Sequence, residues 1–263
     1  MPRFSLYFLG PPRIERDGAS TKVDTHKAIA LLAYLALTGE SRRRDELANL
    51  LWPEYDQTHA RSALRRALSV LNKALGGGWL EVEGEIIGLR WTEGLWVDAD
   101  QFRRCLSGCQ GHGHAPAEVC PECAGLLTEA VGFYRGDFLA GFSLKDSVVF
   151  DDWQFSETQN LRSEMIGALE RLVIWHSGQM KFEVSIDYAR RWLEMDRANE
   201  AAHRGLMELY ARTGHKAAAL RQYEECAKVI GEELGEPPQE GLIGVGFIRF
   251  QGGKGGEEGH GSG

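Results

Sequence analysis

THARSALRRALSVLNKALGGG, residues 58–78, is the stretch whose reading decides the fold. Ala60, Ala63, Leu64, Ala67, Leu68, Leu71 and Leu75 recur at spacings of three and four, the period of one helical face. The opposite face carries Arg61, Ser62, Arg65, Arg66, Ser69, Asn72 and Lys73. Thr58 is the expected N-cap, and Gly76-Gly77-Gly78 closes the segment. The spacing predicts a helix over 58–75, apolar inside and basic outside.

Working outward, Leu47, Leu50, Leu51 and Trp52 mark a shorter helix, with Ser41 as its expected cap and Pro53 as its end. Trp52 and Leu68 are expected to pack together. Ala28, Leu31, Leu32 and Leu35 mark another helix, stopped at Gly39. Residues 4–9 alternate, with Phe4, Leu6 and Phe8 on one face, as in a half-buried strand. A second strand runs near Ile14, before a turn at Asp17-Gly18. Beyond the glycines, residues 79–82 and 86–89 read as a hairpin around Gly84. The first hundred residues therefore read β-β-α-α-α-β-β.

Two helices joined by a short turn, the second basic on its outer face and followed by a hairpin, make an α+β winged helix-turn-helix. A helix fits the DNA major groove, where arginine pairs with guanine and Asn or Ser reads other base edges. The candidate DNA contacts are Arg61, Ser62, Arg65, Arg66, Ser69, Asn72 and Lys73, with Arg90 as the wing contact. A basic helix face alone is equally a solvated surface; the elements around it favour DNA. Glu81, Glu83 and Glu85 make the wing tip acidic and argue against a wing held tightly to phosphate.

From Ala99 on, nearly everything reads as helix, with an irregular break over 135–142. Helices are expected over 151–177, 182–195, 199–213 and 215–234. Ser185, Ala189 and Trp192 precede Ala219, Tyr223 and Cys226 by 34 residues each, the period of tetratricopeptide (TPR) helix pairs. The expectation is an all-α TPR-like helical-repeat domain; a plain antiparallel bundle is the alternative. Residues 236–263 are rich in glycine and are expected to form a flexible tail.

The 263 residues suffice for two domains with real cores. The net charge is −8, but residues 1–104 hold 15 Lys/Arg against 14 Asp/Glu. An acidic total excludes a protein that coats nucleic acid by charge alone, and leaves room for a local basic face. No apolar run reaches the length of a membrane span, and Met1-Pro2-Arg3-Phe4 opens no signal peptide. A cytoplasmic protein with no membrane partner is expected.

Four of the five cysteines lie within 105–123, too tightly clustered for a secreted disulfide framework. Cys120-Pro121-Glu122-Cys123 has the spacing of a thiolate knuckle. With Cys109 and either His112 or His114 it completes a tetrahedral Cys₃His set, so a structural zinc is a candidate cofactor. The alternative is reduced cysteines in a mobile loop, with Cys105 as the spare. No nucleophile motif accompanies the scattered histidines, and Asp151-Asp152 reads as an ordinary helix start. No enzyme is expected.

The stretches Leu50-Leu51-Trp52-Pro53, 60–69, Trp96-Val97-Asp98-Ala99-Asp100-Gln101-Phe102, 134–142, 217–224 and Glu233-Leu234-Gly235 together resemble the bacterial transcriptional activator domain proteins, which include the antibiotic regulatory proteins. The resemblance runs from residue 4 to about 238. It implies a winged-helix DNA-binding domain of the response-regulator type over 1–98, with 58–75 as recognition helix. It implies a TPR-like activation domain over 99–235, carrying a Cys/His-rich insertion at 105–123. The implied function is a sequence-specific transcriptional regulator, an activator on promoter DNA that contacts RNA polymerase or partner subunits. A homodimer on repeated DNA sites is a candidate assembly. The rival expectation is a TPR-type interaction scaffold without specific DNA binding. The chain departs from the family after Pro238, where glycine-rich sequence replaces a further amphipathic helix. It also holds no P-loop.

Overall fold

The computed structural model describes residues 3–115 and 118–233. The expected tail over 236–263 lies outside the described residues. The N-terminal part is mixed α and β, and the C-terminal part is helical. Of the described residues, 3–114 together with 120–165 form one compact unit, and 115, 118–119 and 166–233 form a second.

The first unit opens on β1 (Phe4–Tyr7), β2 (Arg13–Arg16) and β3 (Ala19–Ser20). α1 (His26–Thr38) follows, capped by Thr25 and ended by Gly39 at φ 66°. β4 (Arg42–Arg43) leads directly into α2 (Arg44–Leu51), and then α3 (Gln57–Leu75). The hairpin is β5 (Leu80–Glu83) and β6 (Ile86–Leu89), and β7 (Leu95–Val97) precedes α4 (Asp98–Gly108). A 3-10 turn at Cys109–Gly111 follows, then α5 (Pro121–Phe133). α6 (Val148–Gly178), α7 (Phe182–Met195), α8 (Glu200–Arg212) and α9 (Lys216–Glu233) complete the chain.

Two sheets organise the first unit, where the sequence pattern suggests four strands and pairs only the hairpin. The larger has the order β3-β2-β1-β7, with β1 and β7 parallel. The smaller has the order β4-β6-β5. The short β3, β4 and β7 carry too few residues to register as alternating patterns. The expected stripe of α3 is buried in full. Trp52 and Leu68 are both buried as well.

Two expected caps are corrected. α3 begins one residue earlier than expected because Asp56, not Thr58, is its N-cap and accepts from the Thr58 and His59 amides. Ser41 does not cap α2; Arg43 stands there without a side-chain bond. Ser41 instead lies against β6, where a Cβ on Gly88 would come within 2.2 Å of its hydroxyl.

Asp98, the first residue of α4, is fully buried. Its carboxylate accepts from the Phe8, Leu9 and Ala99 amides and from Arg135. Burial raises its pKa, and these donors oppose that. The irregular break joins the same unit: Phe138 bridges to Leu9 and Gly10, and its ring meets Phe8 edge-on.

In the second unit α7 packs on α8 and α8 on α9. Ser185 donates to the Val173 carbonyl, and His176 stacks on Tyr188. Met207, Cys226 and Ile230 form a buried cluster joined by Tyr223.

Candidate functional site

The outer face of α3 and the β5–β6 hairpin enclose an open cleft. Arg65, Ser69 and Asn72 line it from the helix; Glu81, Val82, Glu83 and Arg90 line it from the hairpin. Ser62, Arg66 and Lys73 are exposed beside them. Among the described residues Arg65, Arg66 and Lys73 form no ion pair. Their charges face solvent.

Arg61 does not share that freedom. Its guanidinium forks onto Asp45 of α2 at 2.6 and 2.8 Å and reaches Glu85 of the hairpin turn at 3.0 Å. Its hydrogen bond holds the Asp45 carboxyl below the usual carboxylate range. Arg61 thus pins α2, α3 and the hairpin tip together. Arg90 is also paired, to Glu81 at 3.1 Å, so its charge is offset at the wing. The sequence pattern places both residues correctly on the surface but misses these partners.

Arg44 is a residue the sequence reading passed over. It lines the same cleft, and its Nε donates to the Gly84 carbonyl at 2.9 Å. Its signal in the sequence is the run Arg42-Arg43-Arg44 at the mouth of α2.

A second constellation lies between the end of α4 and the start of α5. One ligand atom from each of His112, His114, Cys120 and Cys123 falls within 4.8 Å of the others. His112 Nδ1 is 3.3 Å from Cys120 Sγ and 3.0 Å from Cys123 Sγ. His114 Nε2 is 3.2 Å from Cys123 Sγ. This group could hold a metal ion.

Cys120 caps α5, its sulfur accepting from the Cys123 amide at 3.4 Å. That bond lowers the Cys120 pKa, while burial raises that of Cys123. Cys109, expected as a ligand, lies outside this group. Its Sγ is 3.6 Å from the Cys105 carbonyl and 3.8 Å from that of Cys123, and its side chain also meets the Cys123 thiol. Where the sequence pattern offered one of the two histidines, the structure brings both to Cys120 and Cys123.

Residues 97–245 match the bacterial transcriptional activator domain, more than half of the chain. The chain belongs to that family. Relatives within reach of the whole fold include the regulatory protein AfsR of Streptomyces coelicolor, 27% identical over 250 residues, which cover 89% of this chain and 23% of that protein. The AfsR of Streptomyces griseus is 24% identical over 254 residues, 91% of this chain and 24% of that one. This chain thus spans about a quarter of those relatives' length. EmbR of Mycobacterium tuberculosis, solved in complex with a low-affinity phosphopeptide, has the same fold. The TM-score is 0.70 at 19% identity, covering 94% of this chain and 64% of that one. Among the described residues no helix is long and apolar enough to cross a membrane.

Proposed function

We propose that this member of the activator-domain family is a sequence-specific DNA-binding transcriptional activator. The observation that carries the reading is the free basic face of α3 beside the hairpin cleft. α3 enters the major groove; Arg65 pairs with a guanine edge, Asn72 and Ser69 read neighbouring edges, and Arg66, Lys73 and Ser62 meet phosphates. Arg61 and Arg90 position the helix and wing through their carboxylate partners, and Arg44 adds a cation at the rim. Residues 1–98 act as a response-regulator-type winged helix. Residues 99–235 act as a TPR-like domain that contacts RNA polymerase or a partner subunit, with homodimers on repeated sites as the assembly. The chain works by binding, in the cytoplasm, and not by catalysis.

The scaffold reading draws on the groove within α7–α9, lined by Leu193, Leu206, Tyr210 and Val229 among charged residues. Binding of the full chain to its own upstream DNA, measured by gel shift against unrelated competitor, separates the two. Retention of a discrete complex under excess competitor supports the activator; equal displacement by any DNA supports the scaffold.

A further inference from the structure

The loop joining α4 to α5 buries few side chains. Among its described residues 109–123, only Cys109 and Cys123 are buried. A segment so poor in apolar contacts does not order itself by burial. Yet one donor atom from each of His112, His114, Cys120 and Cys123 lies within 4.8 Å of the others.

Three features of the loop make that convergence specific. Gly113 stands at φ +70°, which L side chains rarely adopt, and reverses the chain between the two histidines. Cys120 and Cys123 form a knuckle in which the Cys123 amide donates to the Cys120 sulfur at 3.4 Å. Cys120 also sits at the N-terminus of α5, where the helix dipole favours a thiolate.

The donor set suits a soft cation. Both imidazoles approach the single sulfur of Cys123, and His112 also approaches that of Cys120. Zinc–sulfur bonds of about 2.3 Å and zinc–nitrogen bonds of about 2.0–2.1 Å put a tetrahedral nitrogen–sulfur edge at roughly 3.5–3.6 Å. The observed nitrogen–sulfur separations of 3.0–3.3 Å are shorter than that edge by a few tenths of an ångström, so an ion entering the group would spread the donors slightly. Two thiolates with two imidazoles suit Zn²⁺ over Mg²⁺ or Ca²⁺, which prefer oxygen donors.

We propose that His112, His114, Cys120 and Cys123 form a structural zinc centre that staples the end of α4 to the start of α5. Four protein ligands leave no open coordination position, so the ion has no catalytic role. The inference stands apart from DNA binding.

The test is metal analysis of the full chain, purified without chelator, reduced and incubated with equimolar Zn²⁺. Close to one zinc per chain is expected. Cobalt substituted into the site should give the intense visible bands of tetrahedral coordination and thiolate charge transfer. Cys120→Ser, Cys123→Ser and His112→Ala should lose stoichiometric metal, whereas Cys105→Ser and Cys109→Ser should keep it. If a ligand variant fails to fold, the cobalt spectrum of the unsubstituted chain still decides geometry and thiolate ligation. Failure to take up stoichiometric zinc or an octahedral cobalt spectrum would overturn the proposal. So would loss of zinc in Cys109→Ser as complete as in Cys120→Ser.

Discussion

Arg61 and Arg65 stand one helical turn apart on α3 in different electrostatic company. Arg61 is held by Asp45 and Glu85, and Arg65 faces solvent at the cleft. A bidentate contact to a base edge is worth about 1–3 kcal/mol of discrimination. Arg65→Ala is therefore expected to reduce affinity for the specific site by that amount and affinity for random DNA far less, read by fluorescence anisotropy on both. Arg61→Ala should weaken the two bindings more evenly, because it loosens the helix and not a base contact. A specific loss at Arg61 equal to that at Arg65 would mean that Arg61 leaves its carboxylates on DNA. Asp98 is the residue on which stability turns. Both its oxygens accept from backbone amides, and Arg135 adds a charged donor. Asp98→Asn turns an N–H toward these donors and should destabilise the first unit by about 2–4 kcal/mol, measured by urea unfolding of the full chain.

At the scale of elements, Arg61 ties α2, α3 and the hairpin together, and α2 ends on the buried Trp52. This indole is 8% exposed, and truncating a buried aromatic costs about 3–5 kcal/mol. Trp52→Ala should unfold the first unit at lower temperature in a thermal melt; an unchanged transition would show that the indole is dispensable. The loop between α4 and α5 gives the second expectation. Chelator should make residues 109–123 cleavable under limited proteolysis, and added zinc should restore protection. The sequence makes α3 legible because its period is long and unbroken, and because strong start and stop residues flank it. Its start is off by one residue, since Asp56 and Thr58 are both good caps and only the fold chooses between them. The four residues of the Cys/His group are legible from spacing. That Cys109 falls outside the group is not, because its sulfur lies near carbonyls whose place depends on how α4 meets α5. The pairing of Arg61 crosses 16 and 24 residues of sequence, beyond the reach of any helical periodicity.

At the scale of the whole molecule, the net charge of −8 limits how DNA can be held. Each phosphate neutralised contributes about −0.9 to the log–log slope of affinity against salt. With Arg44, Arg65, Arg66 and Lys73 as the cations of the face, the slope per chain should be no steeper than about −4. A much steeper slope would place further cations against the DNA. The mixed sheet has another consequence, for the order of synthesis. β1 pairs on one edge with nearby β2 and on the other with β7, and the Asp98 carboxylate that closes its end lies 90 residues downstream of Phe8. On the ribosome β1 and β2 emerge early, and the second edge of β1 waits until residues 95–98 clear the exit tunnel. An unpaired strand edge is a template for joining another chain. Nascent chains stalled before residue 95 should therefore associate with one another, and chains stalled well beyond Asp98 should stay apart, so that translation speed through the intervening helices becomes part of what keeps this protein from aggregating.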